Sequence, residues 1–196
     1  MLKNSWIIFG LLAGLIWLPA GVDAENLAPV AWEPEPGDAF VVDVPANMGY
    51  LVHRNGQSFS FPVATGKKAY VRYIGRGYRA ETPIRSWTAE QKQVKGDRRT
   101  FGVSGRFIRL FRGGENSPYG IHAYYKEKDW LEAKERYFSM GCIIVTETMM
   151  DIIEKTYDLS KNSLAVITTD NLEVTLQKIT HNIAVQNEEN ALAVVP

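Results

Sequence analysis

One cysteine and three histidines limit the side-chain chemistry open to this chain of 196 residues. Cys142 stands in Ser139-Met140-Gly141-Cys142-Ile143, behind a glycine and on the approach to a helix. His122 closes Tyr119-Gly120-Ile121-His122, and sixteen residues separate it from Ser139. A free thiol has a pKa near about 8.5, so only a few per cent is thiolate at neutral pH. An imidazole within hydrogen-bond reach takes the proton and leaves a thiolate–imidazolium pair. Glycine before the nucleophile lets a substrate approach the backbone and frees nearby N–H groups for the oxyanion of a tetrahedral intermediate. His53 falls in an expected hairpin and His181 in the tail, which leaves His122 as the partner. Each feature has a plainer reading by itself: a satisfied histidine at a strand end, a packed cysteine, a serine in a turn. Together, at this spacing, they read as a base and a nucleophile.

The compartment sharpens the cysteine. Lys3 supplies a positive start, Trp6 to Leu18 is apolar, Pro19 and Gly21 break the run, and Val22-Asp23-Ala24 suits cleavage before Glu25. Residues 1–24 therefore read as a cleaved export signal, which places the working part in the periplasm or cell envelope. The apolar run is short against the ~20 residues a bilayer span needs, and an uncleaved anchor is the alternative. With one cysteine no intrachain disulfide can form, and a lone thiol outside the cytoplasm is open to oxidation or mispairing. The count leaves an inert and a reactive cysteine equally open.

A composition of 45% hydrophobic and 22% charged residues suits one globular domain with a core. The formal net charge is zero, so no global field recruits nucleic acid or membrane. From Gly66 to Arg112, however, thirteen Lys and Arg face three acidic residues, Glu81, Glu90 and Asp97. Such a basic segment attracts an anionic polymer or a substrate carboxylate, or is simply a solvated face.

The elements that must position the pair are mostly strands. Residues 25–38 are Pro-rich and acidic and read as a linker, with a domain over 39–170 and a partly disordered extension over 171–196. Phe40 to Val44, Tyr50 to Arg54 and Gln57 to Ala64 form a meander, with Asn55-Gly56 as a hairpin turn in which both residues tolerate positive φ. Residues 65–100 read as long loops with short strands, and Phe101 to Phe111 as one or two strands. Lys126 to Tyr137 has the composition of a short charged helix. Thr146 is an N-cap for a helix through Tyr157 that packs Met149, Ile152, Ile153 and Thr156 or Tyr157. Leu164 to Thr168 reads as a core strand, Leu172 to Ile179 as a further strand, and the chain from His181 as a fraying tail.

His122 followed by Ser139-x-Gly141-Cys142-Ile143 resembles the His…Ser-x-Gly-Cys signature of YkuD-type L,D-transpeptidases. The likeness runs over about residues 38–169. Phe40 to Lys67, ending in Pro62-Val63-Ala64-Thr65-Gly66-Lys67, resembles the family's opening meander, and Thr82-Pro83-Ile84 its Thr-Pro stretch. The resemblance implies a mainly β domain whose bent sheet, or β-sandwich, cradles the helix after the cysteine. It implies that Cys142 attacks a peptidoglycan stem tetrapeptide at its third residue, expels D-alanine with a proton from His122, and passes the acyl group to an amine as a 3→3 cross-link. The Ala123 carbonyl would orient His122, and Ser139, Gly141 and the neighbouring amides would support the oxyanion. No metal or organic cofactor is implied. The implied partners are stem peptides, with carbapenem β-lactams as inhibitors, acting on a monomer without nucleic acid. Ile144 departs from the family, which carries Arg or Asn there, and Met140 stands where many members are polar. Arg85, Arg106 or Arg109 is the expected substitute from another strand, with Arg85, Arg106 and Tyr119 as expected substrate-binding residues. Water as acceptor would instead make a carboxypeptidase or amidase, and loss of activity a wall-binding domain.

Overall fold

The computed structural model describes residues 32–73 and 75–181. The expected export signal, the linker up to residue 31 and the tail over 182–196 lie outside them. The rest of the expected linker is packed. Trp32 stacks on the His53 ring at 3.8 Å, and Asp38, almost fully buried, meets His53 Nδ1 at 2.8 Å.

The opening meander is β1 (Ala39–Asp43), β2 (Met48–Val52) and β3 (Ser58–Pro62), paired antiparallel. Its second turn differs from expectation, because only Gly56 takes positive φ, at 88°. The Gly56 amide donates to the His53 carbonyl and the His53 amide to Gln57, so the loop is three residues with glycine in its left-handed position. Asn55 contributes through its side chain, whose Oδ1 accepts from the Gln57 amide at 2.8 Å.

The stretch expected to be loops contains β4 (Thr65–Gly66), a hairpin of β5 (Tyr70–Tyr73) and β6 (Arg76–Arg79) paired only with each other, and β7 (Arg85–Val94), ten residues long. Only Trp87 and Ala89 of β7 are buried, so its polar face hid the alternation that marks a strand. Then come β8 (Arg106–Arg112) and β9 (Glu115–His122). The helix expected over 126–137 is confined to α1 (Glu127–Leu131). Arg136 explains the early end: its Nε donates to the Val63 carbonyl and its Nη2 to the Asn47 carbonyl, which draws the chain into β10 (Tyr137–Ser139) beside β4.

After β11 (Ile143–Ile144), the Thr146 side chain accepts from the Met149 amide at 3.1 Å and caps α2 (Glu147–Leu159), as its sequence indicates. Strand β12 (Leu164–Thr169) completes an eight-stranded sheet in the order β11-β9-β8-β7-β12-β1-β2-β3, parallel at β1–β12 and β9–β11. The last segment corrects the sequence reading: 172–181 is a helix, α3, not a strand. Its half-buried residues, Leu172, Thr175, Leu176 and Ile179, follow helical spacing, and Asn171 Oδ1 accepts from the Val174 amide at its start.

The mainly β fold is thus a sheet with α2 laid into its apolar face. Met149, Met150, Ile153 and Tyr157 pack among Phe40, Trp87, Leu110, Ile121 and Ile143. Arg106 on β8 pairs with Glu147, Asp151 and Glu154 of α2, and Lys92 on β7 with Glu154 and Asp158. On the opposite face a smaller apolar cluster joins Ala64, Trp130 and Ile144, with Tyr124, Leu131 and Phe138 against it. Ala64 and Ile144 exchange both backbone hydrogen bonds, each 2.8 Å. The side chain at 144 is therefore part of a packed cluster. Ile144→Asn should destabilise the fold by about 3 kcal/mol in urea denaturation, because a buried amide would lack partners; a change below about 1 kcal/mol would contradict this packing.

Candidate active site

Strand β11 runs parallel to β9 with Ile143 opposite Ile121 and Ile144 opposite His122. One residue earlier, this register sets Cys142 beside Gly120. Strand alternation then puts Ile121 and Ile143 into the α2 core, and Gly120, His122, Cys142 and Ile144 on the other face. Cys142 and His122 are diagonal neighbours on that face.

The turn before Cys142 is held by short-range polar contacts. Ser139 Oγ donates to the Cys142 carbonyl at 2.6 Å and accepts from the Gly141 amide at 3.1 Å. Gly141 adopts φ of 113°, and a Cβ there would strike the Tyr119 ring, so the position requires glycine twice over. Thr82 Oγ1 donates to the Gly141 carbonyl at 3.1 Å and accepts from the Gly66 amide at 2.8 Å. Thr82, in the connection between β6 and β7, thus braces the turn before Cys142, a role its sequence gave no sign of. Because the Gly141 amide is committed to Ser139, the Cys142 amide is the one of the pair left without a protein acceptor among the described residues.

His122 is buried, with Nδ1 2.7 Å from the Ala123 carbonyl. A carbonyl only accepts, so the 2.7 Å contact calls for a proton on Nδ1; the Thr100 carbonyl is a second acceptor for the ring, and a neutral imidazole, with one N–H, serves only one of the two. Phe101 and Phe107 flank the ring, at centroid distances of 5.0 and 6.0 Å. This burial lowers the imidazole pKa below its usual value, against the opposing pull of the Ala123 and Thr100 carbonyls.

Cys142 opens on one side and is densely packed on the others. Burial pushes its thiol up to about 11, with the Gly120 amide and the Arg109 charge working in the opposite direction. The two shifts have one meaning. Both shifts favour a neutral thiol and a neutral imidazole over the thiolate–imidazolium pair that the residue types suggest.

In front of Cys142 lies a cleft of about 740 Å³, lined by Tyr119, Pro118, Met140 and the β5–β6 hairpin through Tyr73, Arg76, Gly77 and Tyr78. Of the expected substrate-binding residues, Tyr119 lines this cleft. Arg85 is exposed and stacks over Trp87 at 5.2 Å, and Trp87 meets Tyr119 edge-on, so Arg85 stands two rings away. Arg106 is engaged with α2. The hairpin residues were missed because residues 65–100 read as loops; the alternation of Tyr and Arg on either side of Gly75 was the available signal. Glu35, Asp38 and His53 could offer ligand atoms to a cation, but they belong to the packed N-terminal segment described above.

Residues 37–164 match the L,D-transpeptidase catalytic domain (YkuD) family. No curated protein matches the sequence. Among solved structures, the chain is similar to the helical cell shape determining protein Pgp2 from Campylobacter jejuni, with a TM-score of 0.50 and 12% identity over 82% of this chain and 57% of that one. It is also similar to the L,D-transpeptidase from Xylanimonas cellulosilytica (TM-score 0.49, 17% identity, 70% and 63% covered). A third is Bd1075 from Bdellovibrio bacteriovorus (TM-score 0.49, 16% identity, 79% and 56% covered). The chain thus spans 56% to 63% of the length of these three proteins.

Both shifts set a pH dependence. The rate of Cys142 alkylation by iodoacetamide should keep rising with pH through 9 and beyond, because the thiol titrates near 11. A plateau reached near neutral pH would show a resting thiolate and contradict the neutral pair.

Proposed function

Because the chain belongs to the L,D-transpeptidase catalytic domain (YkuD) family, we propose that it acts outside the cytoplasm as a cysteine acyltransferase on peptidoglycan stem peptides. The observation that carries this reading is the shared sheet face of Cys142 and His122, with the histidine Nδ1 at hydrogen-bond distance from the Ala123 carbonyl.

The Cys142 proton passes to His122 Nε2 as sulfur attacks the peptide carbonyl, and the Cys142 amide faces the oxygen that gains charge. Collapse of the tetrahedral intermediate breaks the C–N bond. The departing D-alanine amine takes the proton from Nε2, leaving a thioester on Cys142 and a neutral imidazole. An acceptor amine then attacks the thioester, gives its proton to Nε2, and releases the thiol as the proton returns to sulfur. Imidazole with a lowered pKa suits these steps, since it is free to accept at neutral pH and surrenders the proton readily.

The cleft supports a peptidic, anionic donor. Its hairpin wall brings Arg76 to the opening with Tyr73 and Tyr78, a cation beside aromatic faces. No acidic residue lies between Lys67 and Ala80, so a substrate carboxylate meets no like charge on the hairpin.

A carbapenem carries a strained acyl group that an activated thiol can open. Incubation with wild-type protein should add one carbapenem mass to the intact protein at Cys142, and Cys142→Ala should abolish the adduct. His122→Ala should slow acylation by about 10²- to 10⁴-fold, the usual contribution of a general base. No adduct with wild type would overturn the catalytic reading. With muropeptides as substrate, cross-linked dimers are the expected product; tripeptide monomers alone would make water the acceptor.

A further inference from the structure

A thiol packed on every side but the cleft gains from a counter-charge at the moment its proton leaves, and Ile144 beside it is apolar. Strand order separates the three arginines that could supply one. Arg85 lies exposed over Trp87, and the Arg106 fork is taken by Glu147, Asp151 and Glu154.

Arg109 is placed differently. On β8 it stands opposite Gly120 of β9, and Gly120 is the residue beside which Cys142 enters β11. The row across three strands is therefore Arg109, Gly120, Cys142, with no side chain in its centre. Phe107 fills part of that gap: a Cβ on Gly120 would strike its ring, and the Arg109 guanidinium lies 5.1 Å from the same ring. Arg109 Nη1 donates to the Ser117 carbonyl at 2.7 Å. Its Nε–H is buried with no acceptor among the described residues. Arg106 Nε, Trp32 Nε1 and Trp130 Nε1 share that state, but of these four donors Arg109 is the one whose strand position lies in the row of Cys142. The other polar groups around the thiol are Tyr78, Tyr119 and Arg76 on the cleft side and His122 on the sheet face.

We propose that Arg109 is a positioning residue for the Cys142 thiolate, held across the side-chain gap at Gly120 and supplying the positive charge that Ile144 lacks. The inference rests on Cys142 being the nucleophile proposed above. The direction of Arg109's effect on the thiol, downward against burial, agrees with this placement.

The test is the iodoacetamide alkylation rate of Cys142 at pH 8.5 in Arg109→Gln, which keeps a polar side chain without the charge, and in Arg109→Lys. Loss of the charge should raise the thiol pKa by about one unit and slow alkylation about tenfold, while lysine keeps the rate within about threefold of wild type. A purely structural role gives the opposite sign, because loosening the site relieves the burial that holds the thiol protonated and speeds alkylation. An unchanged or faster rate in Arg109→Gln therefore overturns the proposal. If that variant does not fold, Arg109→Met takes its place beside Arg109→Lys: a tenfold fall in Arg109→Met upholds the proposal, and an unchanged or faster rate rejects it. A wild-type carbapenem adduct with no Arg109 effect sinks this inference alone. A missing wild-type adduct sinks the proposed function, and the alkylation rates still decide what Arg109 does.

Discussion

The site depends on one structural relation, the parallel pairing of β9 with β11 around a residue that has no side chain. Gly120 lets the Phe107 ring pack over the sheet, and the register that follows puts Cys142 and His122 on one face. A one-residue slip would send the histidine into the α2 core and Ile121 into its place, since alternation in a strand has a period of two. Several contacts hold the register. Ile143 is locked in the core, Ile144 exchanges hydrogen bonds with Ala64, and the Val145 amide donates to the His122 carbonyl at 3.0 Å. The capped helix α2 starts immediately after, anchored to β8 through Arg106.

Burial then sets the chemistry that this geometry permits. It raises the Cys142 thiol and lowers the His122 imidazole, so each group favours its neutral form. A neutral thiol resists stray oxidation better than a thiolate would. In the proposed reaction the thiolate is left to short-lived stabilisation by the Gly120 amide and the Arg109 charge. Those groups are fixed by backbone pairing, so little has to reorganise when charge appears.

Cys142 and His122 could be paired from the sequence because a single cysteine and a single well-placed histidine leave few pairings, and the fold puts the two on one sheet face. Thr146 and the apolar face of α2 were legible because a cap and a 3.6-residue period are local signals. What failed to read were features fixed at a distance. Strand β7 presents only Trp87 and Ala89 to the core, and the pattern of α3 places Thr175 where an apolar residue would have revealed a helix. The choice among Arg85, Arg106 and Arg109 was closed to the sequence for a similar reason. It depends on strand order and on the irregularities between Ala89 and Gln91 and between Arg109 and Phe111, which reset which side chains share a face. Ile144 looked like a missing polar group, and in the fold it is a packed contact with Ala64 and Trp130.

The most direct measurement of this account is the ring ¹⁵N spectrum of His122 in the resting protein, followed through neutral pH. The expected result is a neutral imidazole carrying its proton on Nδ1 at pH 6.5 and above, in wild type and in Cys142→Ala alike. An imidazolium at neutral pH that disappears in Cys142→Ala would mean a preformed ion pair, and would contradict the claim that burial holds both partners neutral until substrate arrives.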